Sequence, residues 1–303
     1  MEPEHIKLDS IDRYNTLYGL PTLHPLVTVA DMSEAASIPD HIRLEYGIYA
    51  VFLKNGVCCS LKYGRKSYDY QEGSIVSFAP GQIIDVEMIE GERPVSAIGL
   101  LFHPDLIYGT PLGEKISGFG FFDYTQTEAL HLSLDERCII TDCLDKISRE
   151  IKQPCDSHSS SVLSANILLL LEYLHRFYDR QFVTRHKVNS DIVAQFERRL
   201  KEHFAFDRRH DCLPSVSDFA SDANLSPKYF SDLVKRETGL TPKTMIDRQM
   251  ISAACHRLAA SSDDIAIIAY DLGFQYPAHF TRAFKRLTGQ SPTDYRRMTF
   301  FQD

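Results

Sequence analysis

The spacing of hydrophobic and polar positions changes along the chain, and the change separates two kinds of structure. From about Pro25 to Pro104, apolar and β-branched residues come in short runs broken by turn residues, the period-two signature of strands. Ile42–Leu53 and Val57–Tyr63 flank Lys54-Asn55-Gly56, and Asn-Gly between two such runs predicts a hairpin. Ser74–Phe78, Ile83–Met88 and Val95–Phe102 add strands, separated by Pro80-Gly81 and Gly91–Pro94. Short strands with regular turns and no intervening helices predict a small antiparallel barrel or jelly roll.

Further along, the period becomes 3.6. Ser133-Leu-Asp-Glu136 fits a capping box, and Ile140, Cys143, Leu144, Ile147 and Ile151 then form one apolar stripe. After a polar break at Asp156–Ser161, a second helix from Val162 to about Tyr178 is apolar nearly all round. It must be buried, against the barrel or against a second copy of itself. Arg180–Ser190 is polar and reads as a linker.

The C-terminal third repeats itself. A shift of fifty residues matches Pro227 with Pro277, Phe230 with Phe280, Lys235 with Lys285, Arg236 with Arg286, Thr238 with Thr288, Gly239 with Gly289 and Pro242 with Pro292. Chance would give roughly one match in such a window. Each copy reads as helix, turn, helix. Val216, Phe219, Ala220 and Ala223 share one face, as do Ile265, Ile268, Ala269 and Leu272. Ser226-Pro227 is a helix start, while Gly239 and Gly289 are left-handed stops. This is the helix-turn-helix pattern, whose second helix enters a major groove. Pro242–Ala260 joins the copies without a breaker, long enough to set two recognition helices on successive grooves about 34 Å apart.

Opposite the apolar faces lie the candidates for DNA contact. Lys228, Ser231 and Asp232 on the first recognition helix, with His279 and Arg282 on the second, sit where base edges are read. Arg282 leads, because a guanidinium bonds guanine through both O6 and N7. Ser226, Lys235, Gln275 and Lys285 sit where phosphate contacts would fix the register.

A net charge of -8 argues at first against a nucleic-acid partner. Residues 191–303, however, hold 16 Lys+Arg against 15 Asp+Glu, leaving 17 against 26 in residues 1–190. The acid sits in the front half, and DNA answers to a local basic face. The seven cysteines lack CxxC spacing and the twelve histidines fall in no HxH or HExxH, so no metal site or cofactor is expected. No P-loop or GxSxG elbow is present, and no catalytic residue is assigned. A DNA-repair alkyltransferase would need an activated acceptor cysteine that this scatter does not supply. The polar start and the absence of an apolar run of about 20 residues predict a cytoplasmic protein that does not engage the membrane.

Residues 195–297 resemble the DNA-binding domain of the AraC/XylS family of bacterial transcription regulators. The likeness rests on Ala223–Gly239 and Ile268–Lys285, ending in Ser291–Arg296. Met250, Val234 and Asp232 depart from the family pattern, which usually carries Arg, Phe and Arg or another hydrogen-bonding side chain there. Glu72–Gly81 is similar to the cupin-like sensor domain often joined to such regulators, without the histidines of metal-dependent cupins. A barrel of this kind holds a small ligand in its mouth, and Arg43, Tyr46 and Tyr63 are the candidates to line it.

The expected fold class is α+β multidomain. Residues 1–127 would form a cupin-like β-barrel sensor, 128–180 a helical dimerisation segment, 181–190 a linker, and 191–303 an all-α DNA-binding domain with helix-turn-helix units at 215–239 and 263–289 joined by helix 242–260. The function implied is a sequence-specific transcription regulator, not an enzyme, controlled by a small-molecule effector. Its partners would be double-stranded DNA, a second copy in a homodimer and, for an activator, RNA polymerase. The alternative is a DNA-binding interaction protein that is constitutive or controlled by a protein partner.

Overall fold

A computed structural model describes residues 4–36, 41–55, 62–63, 66–67, 73–87, 96–205 and 212–300. The chain divides into two compact units, Met1–Thr184 and Arg185–Asp303.

The first unit contains strands β1 (Glu4–Leu8), β2 (Val27–Asp31), β3 (His41–Tyr46), β4 (Tyr49–Asn55), β5 (Lys62–Tyr63), β6 (Lys66–Ser67), β7 (Ser74–Phe78), β8 (Ile83–Glu87), β9 (Ser96–Phe102) and β10 (Leu130–His131). Its helices are α1 (Ile11–Tyr18), the short α2 (Pro104–Ile107) and α3 (Pro111–Lys115), then the long α4 (Leu134–Ile151) and α5 (Ser159–Thr184). Five strands pair in the order β10-β7-β4-β9-β2, three in the order β1-β3-β8, and β5 pairs with β6.

The expected barrel is corrected here: among the described residues neither main sheet closes on itself, and β1 joins β3 in parallel. The run Ile42–Leu53, expected as one strand, breaks at Gly47 and contributes to two sheets. Gly47 donates its N–H to the Leu8 carbonyl at 2.8 Å, and a Cβ there would stand 3.1 Å from the Asp9 backbone. The tip of the expected Asn-Gly hairpin lies outside the described residues.

Strand β4 shows why the larger sheet needs cover on both sides. Ala50 and Phe52 join a core with Leu44 and Tyr46 of β3 and with Tyr14 and Tyr18 of α1. Val51 and Leu53 point the other way, into a core with Leu144 and Ile147 of α4 and Leu170, Leu171 and Leu174 of α5. Alternation thus feeds two cores, with helices closing one face where a barrel would use strands. The Ser133 capping box forms, and the whole expected stripe from Ile140 to Ile151 is buried.

Helix α5 runs six residues past Tyr178, because its last turns carry polar side chains with assigned work. Arg180 donates from Nε to Glu136 Oε1 (3.0 Å) and from Nη2 to Glu136 Oε2 and the His131 carbonyl (both 2.6 Å). Gln181 accepts from the His131 N–H at 2.8 Å and donates to the Ala129 carbonyl at 3.2 Å. The expected linker 181–190 is therefore helical on both sides of Arg185, which carries the break.

Among the described residues the second unit is all helical: α6 (His186–His203), α7 (Val216–Asp222), α8 (Pro227–Thr238), α9 (Pro242–Ala260), α10 (Ile265–Asp271), α11 (Pro277–Thr288) and α12 (Pro292–Phe300). Phe196 of α6 meets Phe219 and Phe230 edge-on, with ring centroids 4.8 and 5.3 Å apart. In the second half, Phe280 contacts Phe274 and Phe284, and Phe284 reaches Tyr295 of α12 at 5.7 Å. Val234 and Met250 are both buried, so apolar side chains suit these positions.

Candidate nucleic-acid interface

The two copies match atom for atom where the chain turns. Asn224 (φ 54°) and Gly273 (φ 90°), at corresponding positions, both take the left-handed conformation between the two helices of their unit. Helices α8 and α11 end alike: Gly239 and Gly289, with φ of 74° and 83°, donate to the Lys235 and Lys285 carbonyls at 2.8 Å. In each, a threonine, Thr238 or Thr288, donates its hydroxyl to the carbonyl four residues back at 2.8 Å.

The structure also extends the repeat. Asp222 ends α7 and Asp271 ends α10; Asp222 pairs with Arg199 of α6, and Asp271 with Arg257 of α9. Each arginine precedes a buried leucine, Leu200 or Leu258. The duplicated module is thus three helices, α6-α7-α8 and α9-α10-α11. The two ion pairs differ in setting: the first has side chains 42% and 37% exposed, the second 7% and 17%.

On α8, Lys228 and Asp232 form an ion pair at 3.2 Å, one helical turn apart. The Ser231 hydroxyl donates to the Pro227 carbonyl at 2.7 Å. Lys235 is exposed. Ser226 is 7% exposed and its hydroxyl accepts the Tyr229 N–H at 3.2 Å, capping α8.

On α11, His279, Arg282 and Lys285 are all exposed, with Gln275 in the bend before the helix. His279 lies 5.3 Å from the Tyr276 ring, edge to face. Arg282 folds back on its own helix, Nε to the Ala278 carbonyl at 3.4 Å. His279, Arg282, Ala283 and Arg286 line a shallow concavity of about 320 Å³. Arg286 is not among the candidates read from sequence, although its i+4 spacing from Arg282 puts it on the same face. Unlike α8, α11 has no side-chain cap: Tyr276 occupies that position without bonding the first-turn amides.

The two helices differ in electrostatic strength. Helix α11 carries Arg282, Lys285 and Arg286 with no carboxylate, whereas α8 sets Asp232 and Glu237 against Lys228, Lys235 and Arg236. The phosphate field should therefore pull harder on the second copy.

Two of the three ligand candidates of the first unit, Arg43 and Tyr46, do not share a face. Arg43 is exposed on β3 while Tyr46, an odd number of residues away, is buried on the opposite face and stacked on Phe78 at 5.1 Å. Burial pushes the Tyr46 phenol far above its ordinary pKa. Tyr63 belongs to β5, and its side chain lies outside the described residues. Among the described residues no group of three or more His, Cys, Asp or Glu could hold a metal, and no helix is long and apolar enough to cross a membrane.

Residues 219–298 match a family model described as a helix-turn-helix domain. The chain is 35% identical over 109 residues to the HTH-type transcriptional activator RhaS of Citrobacter koseri, covering 36% of this chain and 37% of that protein. It is 27% identical over 111 residues to the arabinose operon regulatory protein of Escherichia coli, covering 36% and 38%. The alignment thus spans well under half the length of these curated relatives. The C-terminal domain of AraT, a response regulator from Geobacillus stearothermophilus, is similar at 28% identity and a TM-score of 0.32, covering 35% of this chain and 84% of that one. Residues 219–298 of this chain are thus a helix-turn-helix domain of the AraC type.

Proposed function

We propose that the chain is a sequence-specific transcription regulator of the AraC/XylS type, reading two half-sites through α8 and α11 and answering to a small effector held by the N-terminal unit. The observation that carries this reading is the duplicated module, which presents two outward helix faces bearing Lys228, Ser231 and Asp232 in one copy and His279, Arg282 and Arg286 in the other. Nineteen residues of α9 give a rod of about 28 Å, close to the rise between successive major grooves. The first unit acts as a cupin-like sensor, α4 and α5 supply the homodimer contact, and RNA polymerase is the further partner of an activator. An effector works by binding differently to two arrangements of the chain, only one of which lets the helices reach their sites.

The test is selection of bound duplexes from a random pool at about 0.15 M salt, comparing the intact chain with Arg282→Ala. A two-part site with halves about one helical turn apart is expected, with the variant relaxing one half at a cost of about 1 to 3 kcal/mol. No enriched sequence, with or without candidate effectors, would refute the reading.

A further inference from the structure

We propose that the first unit binds small organic cations with an apolar body in a groove between β2 and α4, away from the side chains expected from sequence. The groove encloses about 390 Å³, within the about 300 to 1,000 Å³ of typical small-molecule sites. It opens at the end of the five-stranded order, where, among the described residues, β2 pairs with β9 alone. Its floor comes from two layers: Val29 and Ile98 on the adjacent strands, and Leu144 and Ile151, seven residues apart on one face of α4. Asp31 stands directly across from Ile98 in the strand register, so a carboxylate borders the apolar floor. Its Oδ1 is fixed by the Ser33 N–H and hydroxyl at 2.9 and 2.7 Å.

Among the described residues Glu34 and Asp145 add two further carboxylates to the lining, against one cation, Lys152. The acidic excess of residues 1–190 adds a long-range field of the same sign. An apolar floor favours a ring or alkyl body, and this lining rejects carboxylates and draws in an ammonium group. The chemistry is opposite to that of the aromatic and basic residues Arg43, Tyr46 and Tyr63. As a binding site the groove stands alone; as the effector site it rests on the regulator reading above.

The test titrates the intact chain with tryptamine, with its alcohol analogue tryptophol and with indole-3-propionate, which keep one ring and change only the head group. The chain contains no tryptophan, so indole fluorescence anisotropy reports the ligand directly. Tryptamine is expected to bind at least about tenfold tighter than the alcohol, and the carboxylate weakest. A Glu34→Gln/Asp145→Asn double variant, checked for folding by its melting curve, should weaken tryptamine about tenfold and leave the alcohol unchanged. Equal binding of all three probes, an indifferent double variant, or no binding by tryptamine or the smaller phenethylamine up to about 1 mM would overturn the proposal. DNA affinity measured on the same samples separates the two readings. Amine binding that leaves DNA affinity unmoved keeps the site and removes its effector role; sequence-specific DNA binding without amine binding does the reverse.

Discussion

Removing Arg257 should cost far more than removing Arg199, although the two side chains do the same job in the two copies of one module. Arg257 bridges to Asp271 at 3.4 Å and donates from Nη2 to the Ala205 carbonyl at 3.4 Å, with its side chain 7% exposed. Arg257→Ala removes the bridging guanidinium from a carboxylate that is itself only 17% exposed. Breaking a buried pair costs about 3 to 5 kcal/mol, and the long bridge with residual access at Asp271 sets the expectation at about 3 kcal/mol. The Arg199–Asp222 pair is about two-fifths exposed on both sides, so solvent already screens it. Arg199→Ala should cost about 0 to 1 kcal/mol. Replacing both partners, Arg257→Met with Asp271→Leu, should recover most of the loss, because the two charges of the pair then leave together. Urea unfolding followed by far-UV circular dichroism measures the three values, and amide exchange in α9 and α10 locates them in the second unit. Equal costs for Arg257→Ala and Arg199→Ala would refute the assignment of the difference to burial.

Gly273→Ala should destabilise the second unit by about 2 kcal/mol or more, since φ is 90° and a Cβ would stand 2.5 Å from the Cys212 carbonyl carbon; Asn224→Gly, at the matching turn, should move the melting temperature little. Asp232→Asn should free Lys228 from its ion pair and deepen the logarithmic salt dependence of DNA binding by about one unit, read from affinities at several salt concentrations. An unchanged slope would mean that Lys228 does not face phosphate. The Ser215 N–H and hydroxyl hold the Asp218 carboxyl below its ordinary pKa in the capping box of α7. A lowered folded pKa contributes stability above the unfolded value of about 3.9, and that stability is lost as pH falls through the folded one. Melting curves of the parent and Asp218→Asn should therefore converge below about pH 4, and parallel curves would rule the cap out as an acid-sensitive element.

The recognition helices were legible because their signals are local. Pro227, Gly239, Pro277 and Gly289 mark starts and stops within one turn of the residues they control, and the stripe around Phe230 or Phe280 has one period. The third helix of the module was not legible, for a reason of chain length. Twelve residues separate α6 from α7 but four separate α9 from α10, so Arg199 and Arg257 fall out of the fifty-residue register that aligns the rest. In the first unit, β4, β7 and β9 follow from alternation and turns. The parallel pairing of β1 with β3 joins segments some thirty-eight residues apart, and no local pattern encodes it. The face that Tyr46 takes was not legible from composition: three residues from Arg43 in a strand is the far side. The acidic groove draws on β2, β9 and α4, and only the packed sheet brings them together.

The bonds that hold the end of α5 bear on how chimaeric regulators should be spliced. Crossover points are usually sought in polar stretches, and Arg180–Ser190 is the polar stretch here. A junction ahead of Arg180 would hand Arg180 and Gln181 to the donor of the other module, leaving the Glu136 carboxylate and the His131 N–H to whatever side chains arrive. A graft made at Arg185 keeps Arg180 and Gln181 with Glu136, His131 and Ala129, so the interchangeable parts of this protein begin one turn later than polarity alone suggests.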